Sequence, residues 1–144
     1  KRLYKILLAD DDPDDRDLFE EAAGVLSQNI SMTMAKDGVQ LMEILLSRTP
    51  LPDIIFLDLN MPKKNGKECL HEISLHKRLR NVPIIIYTTS LNPIDIDDTY
   101  TAGAFRFFKK PNSFEELKDI LSKAFDAVRS NGSKSKDSFI LNAR

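Results

Sequence analysis

A chain of 144 residues suits one domain and can bury a core without disulfides or a structural metal. Charged residues make up 30% and apolar residues 42%, with a formal net charge of -1, so no long-range field draws nucleic acid or a membrane surface. Cys69 is the single cysteine, no apolar run could span a bilayer, and no signal-peptide pattern opens the chain, so a cytoplasmic location is expected.

The run Leu3 to Ala9 is apolar except for Lys5, as expected of a strand buried on both faces. Pro13 to Gln28 takes a helical period, with Leu18, Ala22, Val25 and Leu26 on one face and Pro13 suited to the first turn. Ile30 to Ala35 alternates, which predicts a strand nearer an edge. Val39, Leu41, Met42, Leu45 and Leu46 then form a second amphipathic helix, ended by Pro50 and Pro52.

Asp53 to Asp58 is a third strand, and Asn60 to Gly66 a loop. A third helix runs through Cys69, Leu70, Ile73 and Leu79. Pro83 opens a fourth strand, and a short helix from Pro93 to Ala102 is stopped by Gly103. Ala104 to Phe108 is a fifth strand, and the pattern from Phe114 to Val128 predicts the clearest helix. Residues 1–129 therefore read as one domain. Residues 130–144 read as a tail, either disordered or docking, with a Ser/Lys-rich stretch from Ser130 to Lys136 before the apolar patch Phe139 to Leu141.

Five strands each followed by a helix imply an α/β fold: a parallel sheet between two helical layers. In such folds chemistry gathers outside the carboxyl ends of the strands. Those ends carry Asp10, Asp11 and Asp12, then Asp58 with Asn60 close by, then Thr88, Thr89 and Ser90, then Lys109, Lys110 and Pro111. Gathered carboxylates repel one another, and a hard cation such as Mg2+ resolves that repulsion. A phosphoryl group needs an ammonium and a hydroxyl around its oxygens, and Lys110 and Thr88 are of the right types. Taken singly each element has a plainer reading, as N-cap, turn former or solvated loop. Their joint occurrence at four strand ends favours chemistry.

At these residues the chain resembles the response-regulator receiver family. The resemblance covers about residues 3 to 129 and rests on ILLADDDPDD, PDIIFLDLNMPKKNG, VPIIIYTTS and GAFRFFKKP, in family order and spacing. It implies a flavodoxin-like sheet of order 2-1-3-4-5 with five helices. It also implies Asp58 as phosphoacceptor, Asp11 as a direct Mg2+ ligand, Asp10 acting through a metal-bound water, and Asn60 giving its main-chain carbonyl to the metal. Thr88 and Lys110 would hold phosphoryl oxygens, the Lys110-Pro111 bond would be cis, Asp12 would stand one layer out, and Lys109 would be solvated. The switch position, often Tyr in the family, is Phe107, so a moving hydroxyl is no part of any rotamer switch here.

The resemblance extends to the small stand-alone regulators of phytochrome-type kinases. It implies a signalling switch rather than a turnover enzyme, with a sensor histidine kinase or phosphotransfer protein as donor. A downstream protein and a second copy of the chain are the other candidate partners. An aspartyl-nucleophile phosphohydrolase of the haloacid dehalogenase type is the alternative. It requires an acid two residues after the nucleophile, and Asn60 cannot act as one. A flavin module is disfavoured by the carboxylates after strand one. His71 and His76 read as solvated surface, and Met32, Met34 and Tyr100 as packing residues.

Overall fold

The computed structural model describes residues 3–27, 29–47, 50–130 and 136–143. Its strands are β1 (Tyr4–Ala9), β2 (Ile30–Ala35), β3 (Ile54–Leu57), β4 (Ile84–Thr88) and β5 (Arg106–Lys109). The helices are α1 (Pro13–Leu26), α2 (Gly38–Leu46), α3 (Gly66–Ser74), α4 (Pro93–Thr101), α5 (Phe114–Arg129) and α6 (Lys136–Phe139). All strand pairs are parallel and the order is β2-β1-β3-β4-β5, the flavodoxin-like arrangement expected.

Successive residues of a strand point to opposite faces, so each strand feeds two cores. Leu7, Ile55, Leu57, Ile86 and Phe107 face α2, α3 and α4. Ile6, Leu8, Phe56, Ile85, Tyr87 and Phe108 face α1 and α5, where Phe19 and Phe125 pack edge-on to Phe56. Side-chain oxygens start the helices by accepting from free first-turn N–H groups: Asp12 for α1, Asp37 for α2, Asn92 for α4 and Ser113 for α5. Asn65 and Glu68 form a reciprocal capping box on α3.

The inward faces differ from the expected ones in places. On α1 the buried residues are Phe19, Ala22 and Ala23, whereas Leu18 and Val25 are exposed. Phe19 is the larger apolar group and packs on Phe56 and Tyr87, which turns the helix by about one residue. Val39 and Leu46 are likewise exposed on α2. The third helix stops at Ser74, and Leu79 reaches the core from a turn in which His76 carbonyl oxygen accepts from the Leu79 and Arg80 N–H groups.

A sixth helix, unexpected from the sequence, lies in the tail. Residues 136–143 pack on the domain: Phe139 is buried and Ile140 bridges Phe107. Gln28 and most of the Ser/Lys-rich stretch, 131–135, lie outside the described residues. Among the described residues no helix is long and apolar enough to cross a membrane.

Candidate functional site

The parallel ladders continue just past the strands and set the positions of three side chains. The Asp10 N–H donates to Ala35 carbonyl oxygen at 3.0 Å, the Asp58 N–H to that of Ala9 at 2.9 Å, and the Lys110 N–H to that of Thr88 at 2.6 Å. These bonds place Asp10, Asp58 and Lys110 at one edge of the sheet. Asp10 is fully buried, and Asp58 and Thr88 are nearly so.

Lys110 organises the cluster. Its Nζ donates to Asp10 Oδ2 at 3.0 Å, Asp58 Oδ2 at 3.0 Å and Asp15 Oδ2 at 2.8 Å, which uses all three ammonium protons. It also sits 4.7 Å from the centre of the Tyr87 ring, a favourable face for a cation. The other carboxylate oxygens are anchored to backbone: Asp10 Oδ1 accepts from the Asp12 N–H at 3.0 Å, and Asp58 Oδ1 from the Asn60 N–H at 3.2 Å. Gly66 makes room beneath, since a Cβ there would lie 2.3 Å from Asp58 carbonyl oxygen.

Charge in this cluster is out of balance. Asp10, Asp11 and Asp58 each offer a ligand atom within 4.8 Å of the others, and Asp11 is exposed at the mouth. With Asp15 the cluster holds four carboxylates, three of them paired with the one ammonium. Burial pushes the Asp10 carboxyl up to about 6, and the Asp12 N–H and Lys110 only partly offset it. For Lys110 burial works downward, but the bonds to Asp15 and Asp10 and the Asp58 charge outweigh it and hold the ammonium above its ordinary range. Three oxygen donors of excess negative charge, open at Asp11, suit a divalent hard cation.

The structure brings Asp10, Asp11, Asp58 and Lys110 together, with Thr88 and Asn60 on the same edge. Asp12 is an N-cap and Lys109 is exposed. Phe107 is fully buried on the α4 side of the sheet. No cis peptide bond occurs among the described residues, so the Lys110–Pro111 bond is trans, against expectation.

The sequence reading missed Asp15, which supplies the shortest of the three Lys110 contacts, and Arg16, whose Nη1 donates to Asp10 carbonyl oxygen at 2.7 Å. A signal for Asp15 existed: side chains in a first helical turn tilt back toward the helix N-terminus, here the site.

The family model for the response regulator receiver domain matches residues 6–122. The response regulator Rcp1 of Synechocystis sp. is 31% identical over 117 residues, 78% of this chain and 80% of that protein. The phosphorylated cyanobacterial phytochrome response regulator RcpA superposes with a TM-score of 0.83 at 29% identity, over 91% of this chain and 97% of that one. The Mn(2+)-bound form of Rcp1 gives 0.76 at 28% identity, over 86% and 92%. Several longer relatives are matched over less than half of their own length.

Proposed function

The chain belongs to the response-regulator receiver family of two-component systems, and on that premise we propose that it accepts a phosphoryl group on Asp58, with Mg2+, and switches a partner-binding surface in response. One observation carries the reading: a single partly buried ammonium, Lys110, joins the carboxylates of Asp10 and Asp58 beside the strand end that bears Thr88.

Asp11, Asp58 and the main-chain carbonyl of Asn60 would hold the metal, with Asp10 reaching it through water. When bound, Mg2+ supplies charge neutralisation between the carboxylates and the incoming phosphoryl oxygens. Of the two Asp58 oxygens, Oδ2 is held by Lys110 and Oδ1 by the Asn60 N–H, so the carboxylate is oriented before a donor arrives. An Asp58 oxygen attacks phosphorus. The bond from phosphorus to the donor nitrogen breaks, and its electron pair leaves with the imidazole. Lys110 follows the developing charge by donating to a phosphoryl oxygen, and the Thr88 hydroxyl donates to another.

The donor would be a sensor histidine kinase or a phosphotransfer protein, and the setting cytoplasmic. Residues 1–129 form the receiver unit in this reading, and 130–144 its tail. The output surface comprises α4, β5 and α5 and serves a downstream protein or a second copy of the chain. α4 suits a bistable element: it is short and rich in residues of modest helix propensity. The Thr99 hydroxyl bonds back to Asp95 carbonyl oxygen at 2.7 Å. Phosphoryl binding at Thr88 would bias its position. The test is intact mass after treatment with acetyl phosphate and Mg2+. The parent gains one phosphoryl group and Asp58→Asn gains none; equal gain in both overturns the assignment.

A further inference from the structure

The outer edge of β5 is already occupied. Residues 139–141 run beside it in parallel: Ile140 bridges Phe107, and the Leu141 N–H donates to Phe107 carbonyl oxygen at 2.8 Å. Phe139 is 1% exposed, 6.0 Å between ring centres from Phe107 and edge-on to Tyr100 at 5.2 Å. Two polar ties flank this apolar anchor. Lys136 Nζ meets an Asp97 carboxylate oxygen on α4 at 3.2 Å, and Lys123 Nζ on α5 donates to Asn142 carbonyl oxygen at 2.5 Å. One short segment of the chain thus engages α4, β5 and α5 together.

We propose that residues 136–143 are an internal ligand of the surface formed by α4, β5 and α5, and that phosphorylation of Asp58 releases them. The inference rests on the switching function above and names what holds that surface in the unphosphorylated state. Phe107 is the joint between site and segment. It pairs with Ile86 on β4, two strand positions before the Thr88–Lys109 pair and so on the same face of the sheet, and its outer face is covered by Phe139. A phosphoryl group that draws Thr88 toward Asp58 opens space on the β4 side of Phe107. A ring that moves into that space withdraws from Phe139, and a segment anchored by one aromatic side chain then loses one of the two rings that hold it.

The segment also fills the hydrogen-bonding edge of β5. A partner that needs this edge must displace it, and the edge suits an extended peptide carrying an aromatic residue followed by two aliphatic ones, the Phe139-Ile140-Leu141 pattern. Coupling between two sites is reciprocal. If a phosphoryl group loosens the segment, an undocked segment strengthens phosphoryl binding by the same factor.

The full chain is titrated with beryllofluoride and Mg2+ while the amide exchange of Leu141 is followed. Exchange is expected to rise about tenfold or more on beryllofluoride binding and to stay unchanged with Mg2+ alone. Phe139→Ala, which removes the anchor, and Leu141→Pro, which removes the donor N–H, are each expected to bind beryllofluoride about tenfold more tightly, the same factor. If resonances at Asp58 and Thr88 respond while Leu141 stays protected and both variants bind like the parent, the inference fails and the phosphorylation reading stands. If Asp58 itself gives no response, both fail. Protection of Leu141 that fades on dilution means that the segment comes from a second copy, which overturns its internal placement.

Discussion

The Asp15 carboxylate, in the first turn of α1, stands 2.8 Å from the Lys110 ammonium at the end of β5, although 95 residues separate them in sequence. Asp15 lies outside the trio suited to a cation, so it competes for Lys110 without helping to bind a metal. Asp15→Asn keeps the size of the side chain and removes its charge. It is expected to tighten beryllofluoride binding about two- to fivefold in low salt, since the freed ammonium faces the new anion with one rival fewer. Weaker binding in the variant would show that Asp15 serves to aim Lys110 instead.

Metal affinity should depend most on Asp11 and Asp58. Asp10 is fully buried, with one oxygen on Lys110 and the other on the Asp12 N–H, whereas Asp11 is exposed and open to an ion. Mg2+ titration of Asp11→Asn and Asp58→Asn is expected to show losses of about tenfold or more, and Asp10→Asn a smaller one. An Asp10 variant weaker than the Asp11 variant reverses this order.

The buried Asp10 carboxyl also sets a pH dependence in metal-free protein. Its folded-state value, about 6, lies above the ordinary 3.8 because burial disfavours the charge. Its contribution to stability is therefore fully present below about pH 4 and is lost as pH rises through 6. Asp10→Asn has no such loss. Urea unfolding is expected to find the variant more stable than the parent by about 3 kcal/mol at pH 8, with the difference largely gone at pH 4. A difference that grows toward acid pH contradicts this account.

Gly66 permits the close passage of α3 behind the Asp58 backbone. A Cβ at this position would meet Asp58 carbonyl oxygen at 2.3 Å and Leu59 Cα at 2.7 Å, and backbone cannot yield as a side-chain tip does. Gly66→Ala is expected to cost about 1–3 kcal/mol in unfolding experiments and to weaken Mg2+ binding through displacement of Asp58. Gly24→Ala, at a helix position with nothing within 4 Å, is the control and should be neutral or mildly stabilising. Equal stability of the two variants would remove the packing argument.

Much of this was legible in the sequence, because the strands are short apolar runs and the polar residues that end them must emerge at one edge of a parallel sheet. Asp10, Asp58 and Lys110 each come directly after a strand and Thr88 is the last residue of one, so their gathering needed only local pattern and a right-handed winding. Only the tertiary structure decided other features. Periodicity could not choose between Leu18 and Phe19 as the inward residue of α1, since both lie near the apolar stripe and the choice depends on what Phe56 and Tyr87 leave to be filled. The pairing of Asp15 with Lys110 and the seating of Phe139 on Phe107 join parts of the chain distant in sequence. No local propensity encodes such contacts; they follow from the space and charge left at the sheet edges once the core has packed.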